Sequence, residues 1–142
     1  MTYPTYSNLL VDLGKHLANA GIAQWSETGV YKTVNPPRIY LGRIPDEVQT
    51  NAIALNVYSD DRTNDDTSAE IRVQIRVKGT RHPLECVNIA DRIFQLLHRQ
   101  SNYRLNNSTR VLASNRHLRA PEEQDANLIW HQPDSYTFTL NP

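Results

Sequence analysis

At 142 residues and 16.3 kDa the chain holds about one domain's worth of sequence, on a usual scale of roughly 100–200 residues per domain, and is long enough to bury a core without disulfide staples. Its 15 Lys and Arg match 15 Asp and Glu, and they match again within residues 1–50 (4 of each), 51–100 (7 of each) and 101–142 (4 of each), which excludes a strongly basic nucleic-acid-coating protein and a charged tail. Only 39% of residues are hydrophobic and the mean hydropathy is −0.60, but the apolar residues fall in periodic stretches and the net charge is zero, which excludes intrinsic disorder.

The opening residues Met1 to Ser7 carry no basic side chain and run into no long apolar block, and no window approaches the roughly 18 apolar residues of a membrane span; the expectation is a soluble, intracellular chain. Leu9, Leu10, Leu13, Leu17 and Ala20 then recur at the spacing of one helix face, with Ser7 placed to cap the start and Gly21 suited to the left-handed position after the end. Gly14 inside this helix costs about 1 kcal/mol against Ala, so docking must hold it. From Ala23 to Leu41, Gly29 and Pro36-Pro37 punctuate short β-prone runs (23–26, 30–34, 38–41), which predict a short hairpin followed by an extended segment.

Two strands stand out next. Ile53, Leu55 and Val57 alternate with Ala54, Asn56 and Tyr58, and Ile71, Val73, Ile75 and Val77 alternate with Arg72, Gln74, Arg76 and Lys78. Residues 59–68 between them are polar throughout and predict an exposed loop joining antiparallel neighbours. After Gly79, Pro83 suits the first position of a helix running to about Arg99. Leu84, Val87, Ala90, Ile93, Phe94 and Leu97 form its main stripe, widened by Cys86, Ile89 and Leu96, so more of its circumference asks for cover than a small monomer supplies. β-like runs follow at 110–112, 118–119, 128–131 and 136–140. The predicted fold is α+β: a single domain over residues 1–142, a mostly antiparallel β-sheet with an N-terminal helix and a second, central amphipathic helix packed against it.

No Gly-rich phosphate loop, paired-His helix motif or Gly-flanked Ser nucleophile is present, and nothing calls for a cofactor. His82 and Cys86 are four apart, but a structural zinc needs four ligands and Cys86 is the sole cysteine; a helix-start His and a small buried thiol is the better reading. A nucleophilic Cys86 is disfavoured by its apolar neighbours Val87 and Ile89. Asp60, Asp61, Asn64, Asp65 and Asp66 are hard oxygen ligands, yet they lack the ligand spacing, turn glycine and closing Glu of an EF-hand loop. The sequons at Asn106-Asn107-Ser108-Thr109 carry no weight without a secretory signal.

The neutral middle of the chain hides a segregation. Residues 59–68 hold four Asp and one Arg, whereas residues 70–81 hold one Glu and four basic residues, of which Arg72, Arg76 and Lys78 share one strand face. Spaced cations of this kind meet an acidic partner or line a nucleic-acid channel, or form an ordinary solvated sheet face; no aromatics interleave with them, which disfavours base stacking.

The order of elements, with Gly42-Arg43-Ile44-Pro45 ahead of the strand 52–55, the basic alternating strand Ile71 to Gly79, and a helix containing Ala90-Asp91-Arg92-Ile93-Phe94-Gln95-Leu96-Leu97, resembles the small tail terminator proteins of long-tailed bacteriophages, often labelled minor capsid proteins, over roughly residues 7–100. The resemblance implies a non-enzymatic virion subunit, assembled in the host cytoplasm, that forms a ring, usually of six. Such a ring caps the tail tube and docks to the neck, so its partners would be itself, the tube protein, a head-completion or connector protein, and genomic DNA passing through the lumen. A head–tail connector or head-closure subunit is the neighbouring alternative, and a small nucleic-acid-binding domain the alternative of another class. Asp60, Asp61, Asp65 and Asp66, with Arg72, Arg76 and Lys78, are the candidate interface residues, because opposed charges set the register of a head-to-tail contact.

Overall fold

The structure is a computed structural model and describes residues 5–62 and 68–141. Helix α1 spans Tyr6–Asn19 and is capped by Thr5, whose side chain accepts from Asn8 N at 3.2 Å. It therefore starts ahead of Ser7, the expected cap, because Thr5 already has the extended backbone and the hydroxyl that capping requires. Leu9, Leu13 and Leu17 are fully buried, and Gly21 closes the helix at φ 77°. Gly14 is explained by contact: a Cβ there would lie 2.6 Å from the Trp25 ring. Asp12 is buried as well, accepting from the backbone N and hydroxyl of Thr109.

The expected hairpin between residues 23 and 34 does not form. Gln24 makes a single parallel bridge to Arg38 and spends its side-chain amide on the carbonyls of Thr33 and Pro36, stabilising an irregular strap. Strand β1 (Arg38–Leu41) then pairs in parallel with β2 (Ala52–Arg62), which pairs antiparallel with β3 (Ala69–Lys78). Strand β2 runs on into the stretch expected as a loop from residue 59: Asp60 stands opposite Ile71 and Asp61 opposite Glu70. The backbone ladder overrides local polarity there: Asp61 is on the helix-free face with Glu70, and Asp60, on the helix side, stays exposed at the end of the sheet and accepts from Tyr6 of α1.

Helix α2 (Pro83–Leu97) has His82 as N-cap, its Nδ1 accepting from Leu84 N at 3.2 Å. Its buried side chains are Cys86, Ile89, Ala90, Ile93 and Leu97. The stripe is thus turned toward Cys86 and Ile89, and Leu84, expected within it, is 55% exposed. Gly79 permits the close approach of the end of β3, since a Cβ there would meet Cys86 N at 2.8 Å.

The C-terminal third is more continuous than its sequence suggests. Strands β4 (Gln100–Leu105), β5 (Thr109–Arg119), β6 (Glu123–Gln124) and β7 (Trp130–Leu140) follow. β4 is mostly polar and gives no alternating signal, being an edge strand with only Leu105 buried. β5 joins two expected runs into one, and β7 continues straight through Gln132-Pro133-Asp134. Pro133 is tolerated because its carbonyl, which accepts from Ala120 N, faces the side where β5 ends, so its missing N–H falls outside the ladder with β3.

The seven-stranded mixed sheet has the order β1-β2-β3-β7-β5-β4, with β6 alongside β7. Both helices lie on one face, where Leu9, Leu13, Leu17, Ile89 and Ile93 pack on Ile53, Leu55, Ile71, Val73, Ile75, Tyr136 and Phe138. The result is one α+β domain with a single core and an opposite sheet face free of helices. No helix of the described residues is long and apolar enough to cross a membrane.

Candidate functional site on the helix-free sheet face

Strand alternation sends Ile71, Val73, Ile75 and Val77 into the core and Arg72, Gln74, Arg76 and Lys78 to the helix-free face, so the three cations expected to share a face do. They do not share a fate. Arg76 donates to Glu123 Oε1 at 2.8 Å, while Lys78 has only 6% of its side chain exposed and lies 4.0 Å from Asp125 Oδ2. Among the described residues Arg72 makes no ion pair.

The acids that answer this strand come from residues 122–125. The β6–β7 hairpin sets Glu123 opposite His131, which in turn stands opposite Lys78 on β3. Asp125 shapes the turn: its Oδ1 accepts from the backbone N of Asn127 and Ile129, and its Oδ2 accepts from His131 Nε2 at 2.9 Å. Burial pushes the Asp125 carboxyl up, but these three hydrogen bonds outweigh it and hold the group below the usual carboxylate range.

The expected acidic group sits at the other end of the same strand pair. Asp60 is exposed and accepts from the Tyr6 hydroxyl at 2.9 Å, and Asp61 is exposed beside it; Asp65 and Asp66 lie outside the described residues. Arg72, opposite Ser59, stands close to this acidic end, whereas Lys78 lies about 26 Å from Glu70 along the strand at ~3.3 Å per residue.

Register shifts bring a third group together. β2 is irregular at Tyr58 and β5 at His117, and the two side chains meet above the intervening strands, Tyr58 Oη to His117 Nε2 at 2.7 Å. His117 Nδ1 lies 2.9 Å from the Thr137 hydroxyl. Burial first, and repulsion from Arg72 second, push the His117 imidazole below its ordinary pKa, which keeps it neutral near pH 7. Bulges re-aim side chains in this way.

On the helix side, Asp134 is 2% exposed and is clamped by Arg119 Nε and Nη2, each at 3.0 Å, with Gln132 Nε2 at 3.1 Å and Arg116 Nη1 at 3.5 Å. Arg119 reaches on to Asp91 of α2 at 2.8 Å, and Arg116 lies 4.0 Å over the Phe94 ring, so the cluster locks α2 to β5 and β7. Cys86 is buried with its thiol 3.4 Å from Glu122 Oε2; burial first, then Glu122, push it up to about 12, and a thiol so held is no nucleophile. His82 spends its free ring nitrogen on the helix cap.

The described groups are therefore contact chemistry: ion pairs, a polar sheet face and an exposed acidic hairpin end. The family model for bacteriophage tail terminator proteins matches residues 16–141. The chain belongs to the bacteriophage tail terminator family. No curated protein matches the sequence.

The match to the tail terminator family takes in every strand and extends through the C-terminal third, beyond the residues that carried the resemblance in the sequence. It makes the protein a virion component of structural type. Glu123, Asp125, His131, Tyr58 and His117 were not legible as site residues, because each acquires its partner only through the folding of the sheet; the acids at 122–125 are the one local signal that could have pointed to Glu123 and Asp125.

Proposed function

We propose that this tail terminator subunit closes into a ring, usually of six, that caps the tail tube and joins the tail to the neck by a head-completion or connector protein, with genomic DNA passing through the lumen and no catalytic step. In that assembly residues 1–142 act as one domain. The observation that carries the ring is the hairpin of β2 and β3, which holds exposed Asp60 and Asp61 at one end and a row of cations, Arg72, Arg76 and Lys78, along its helix-free face. Unlike charges on different surfaces of one rigid pair of strands suit a heterologous contact, in which one surface of each subunit meets a different surface of the next and rotation closes the set.

In this reading the end bearing Asp60, Asp61, Asp65 and Asp66 contributes one side of the contact. The face bearing Arg72, Arg76 and Lys78 contributes the other, with Arg72 the cation most available because Arg76 and Lys78 have acids of their own chain beside them. Arg72→Glu should weaken ring formation while leaving the fold unchanged, and Arg72→Glu, Arg76→Glu should abolish head–tail joining. Adding Asp61→Arg to Arg72→Glu should recover assembly. Light-scattering masses and electron microscopy of tails read these outcomes; normal rings and tails from the double Glu variant would refute the assignment of this face.

A further inference from the structure

We infer that the cleft at the foot of β3 is a binding site for a single carboxylate, with Lys78 as its receiving group. The cleft encloses about 300 Å³ and is lined by Gly42, Arg43, Asp46, Asn56, Lys78 and His131, among others. Lys78 is the most buried of the cations that line it. Only 6% of that side chain is exposed, its nearest anion is 4.0 Å away, and no described residue accepts a hydrogen bond from its ammonium group.

The nearby acid does not meet this demand. Asp125 already accepts from Asn127 N, Ile129 N and His131 Nε2, so it lends Lys78 its field and no acceptor geometry. Arg76, the next cation, is spent on Glu123. An ammonium group on a nearly buried side chain keeps little of its water, and its N–H groups, reached only through the cleft, call for acceptor oxygens. A carboxylate supplies them with a compensating charge. A doubly charged anion is disfavoured by Asp46 and Asp125, which line the same walls. Exposed Arg43 stands at the mouth as a second donor. Its ligand is either a small organic carboxylate, in which case the site is independent of the ring, or an aspartate of residues 59–68 of another copy, in which case it rests on the proposed ring and forms part of that contact.

The test is a titration at low salt in a carboxylate-free buffer, following the backbone amide resonances of Asn56, Lys78 and His131. The probes are N-acetylaspartate amide, its uncharged counterpart N-acetylasparagine amide, and the decapeptide of residues 59–68. The aspartate probe should give saturable shifts confined to the cleft, and the asparagine probe should give none. A decapeptide binding about tenfold or more tighter than the single residue identifies the protein segment as the source; equal affinity identifies the small carboxylate. Lys78→Met should weaken the aspartate probe about tenfold, with the thermal midpoint confirming a folded variant. If that variant does not fold, Arg43→Ala at the exposed mouth should weaken it about threefold. The inference is overturned if the aspartate probe and decapeptide give no saturable shift up to about 50 mM, if the asparagine probe binds equally, or if folded Lys78→Met binds as the natural chain does.

Discussion

Truncating Asp134 to alanine tests whether the buried ion cluster fastens α2 to the sheet. Asp134 is 2% exposed and accepts two hydrogen bonds from Arg119 at 3.0 Å and one from Gln132 at 3.1 Å, with Arg116 at 3.5 Å. Removing one partner of a buried pair ordinarily costs about 3–5 kcal/mol, because the remaining charge is stranded. Here the stranding is partial. Arg119 is 28% exposed and keeps Asp91 at 2.8 Å, and Arg116 keeps the Phe94 ring at 4.0 Å. The expected loss is therefore about 2–3 kcal/mol, or about 5–10 °C in thermal midpoint for a chain of this size. Urea unfolding of Asp134→Ala, Arg119→Met and the double variant gives both the loss and the coupling. A loss below about 1 kcal/mol, or additive single effects, would refute the claim that this cluster is a fastening rather than a decoration.

Three further outcomes follow from packing and protonation. Gly14→Ala gains helix propensity but drives a Cβ to 2.6 Å from the Trp25 ring, so net destabilisation of about 1 kcal/mol by urea unfolding is expected; a stabilised variant would mean the ring yields freely. Cys86, its thiol pushed up to about 12 chiefly by burial, should react with iodoacetamide at about pH 8 far more slowly than in the urea-unfolded chain, and equal rates would contradict the burial. His16, His98 and His117 are all held below their ordinary 6.5 with burial as the main cause, joined by Arg99 and Arg116 at His98 and by Arg72 at His117. The folded state binds fewer protons than the unfolded chain, so their contribution is full above 6.5 and is lost as pH falls from there through the folded values. Denaturant midpoints across that window should fall on acidification, and less so with all three replaced by Asn.

The sequence showed most clearly what repeats along one element. Period-two alternation identified β3 and the inner half of β2, helical spacing identified α1 and α2, and Arg72, Arg76 and Lys78 were correctly placed on one face. What it concealed was decided across elements. β4 has no apolar alternation because it is an edge strand, and β7 looks broken at Pro133 because the surviving ladder with β3 is invisible along the chain. The balance of charge was legible as opposition between residues 59–68 and 70–81. In the fold, Arg76 and Lys78 stand beside Glu123 and Asp125 instead, leaving the acidic end some 26 Å away along the hairpin. Gly14 and Gly79, costly in isolation, are read correctly only once Trp25 and Cys86 are seen against them.

Electron microscopy of tail tubes polymerised with and without this protein tests the central claim most directly. Tubes formed in its presence should stop growing and end in one closed ring of added density, lost with Arg72→Glu, Arg76→Glu. Tubes that grow on unchanged, with no added density at either end, would contradict it.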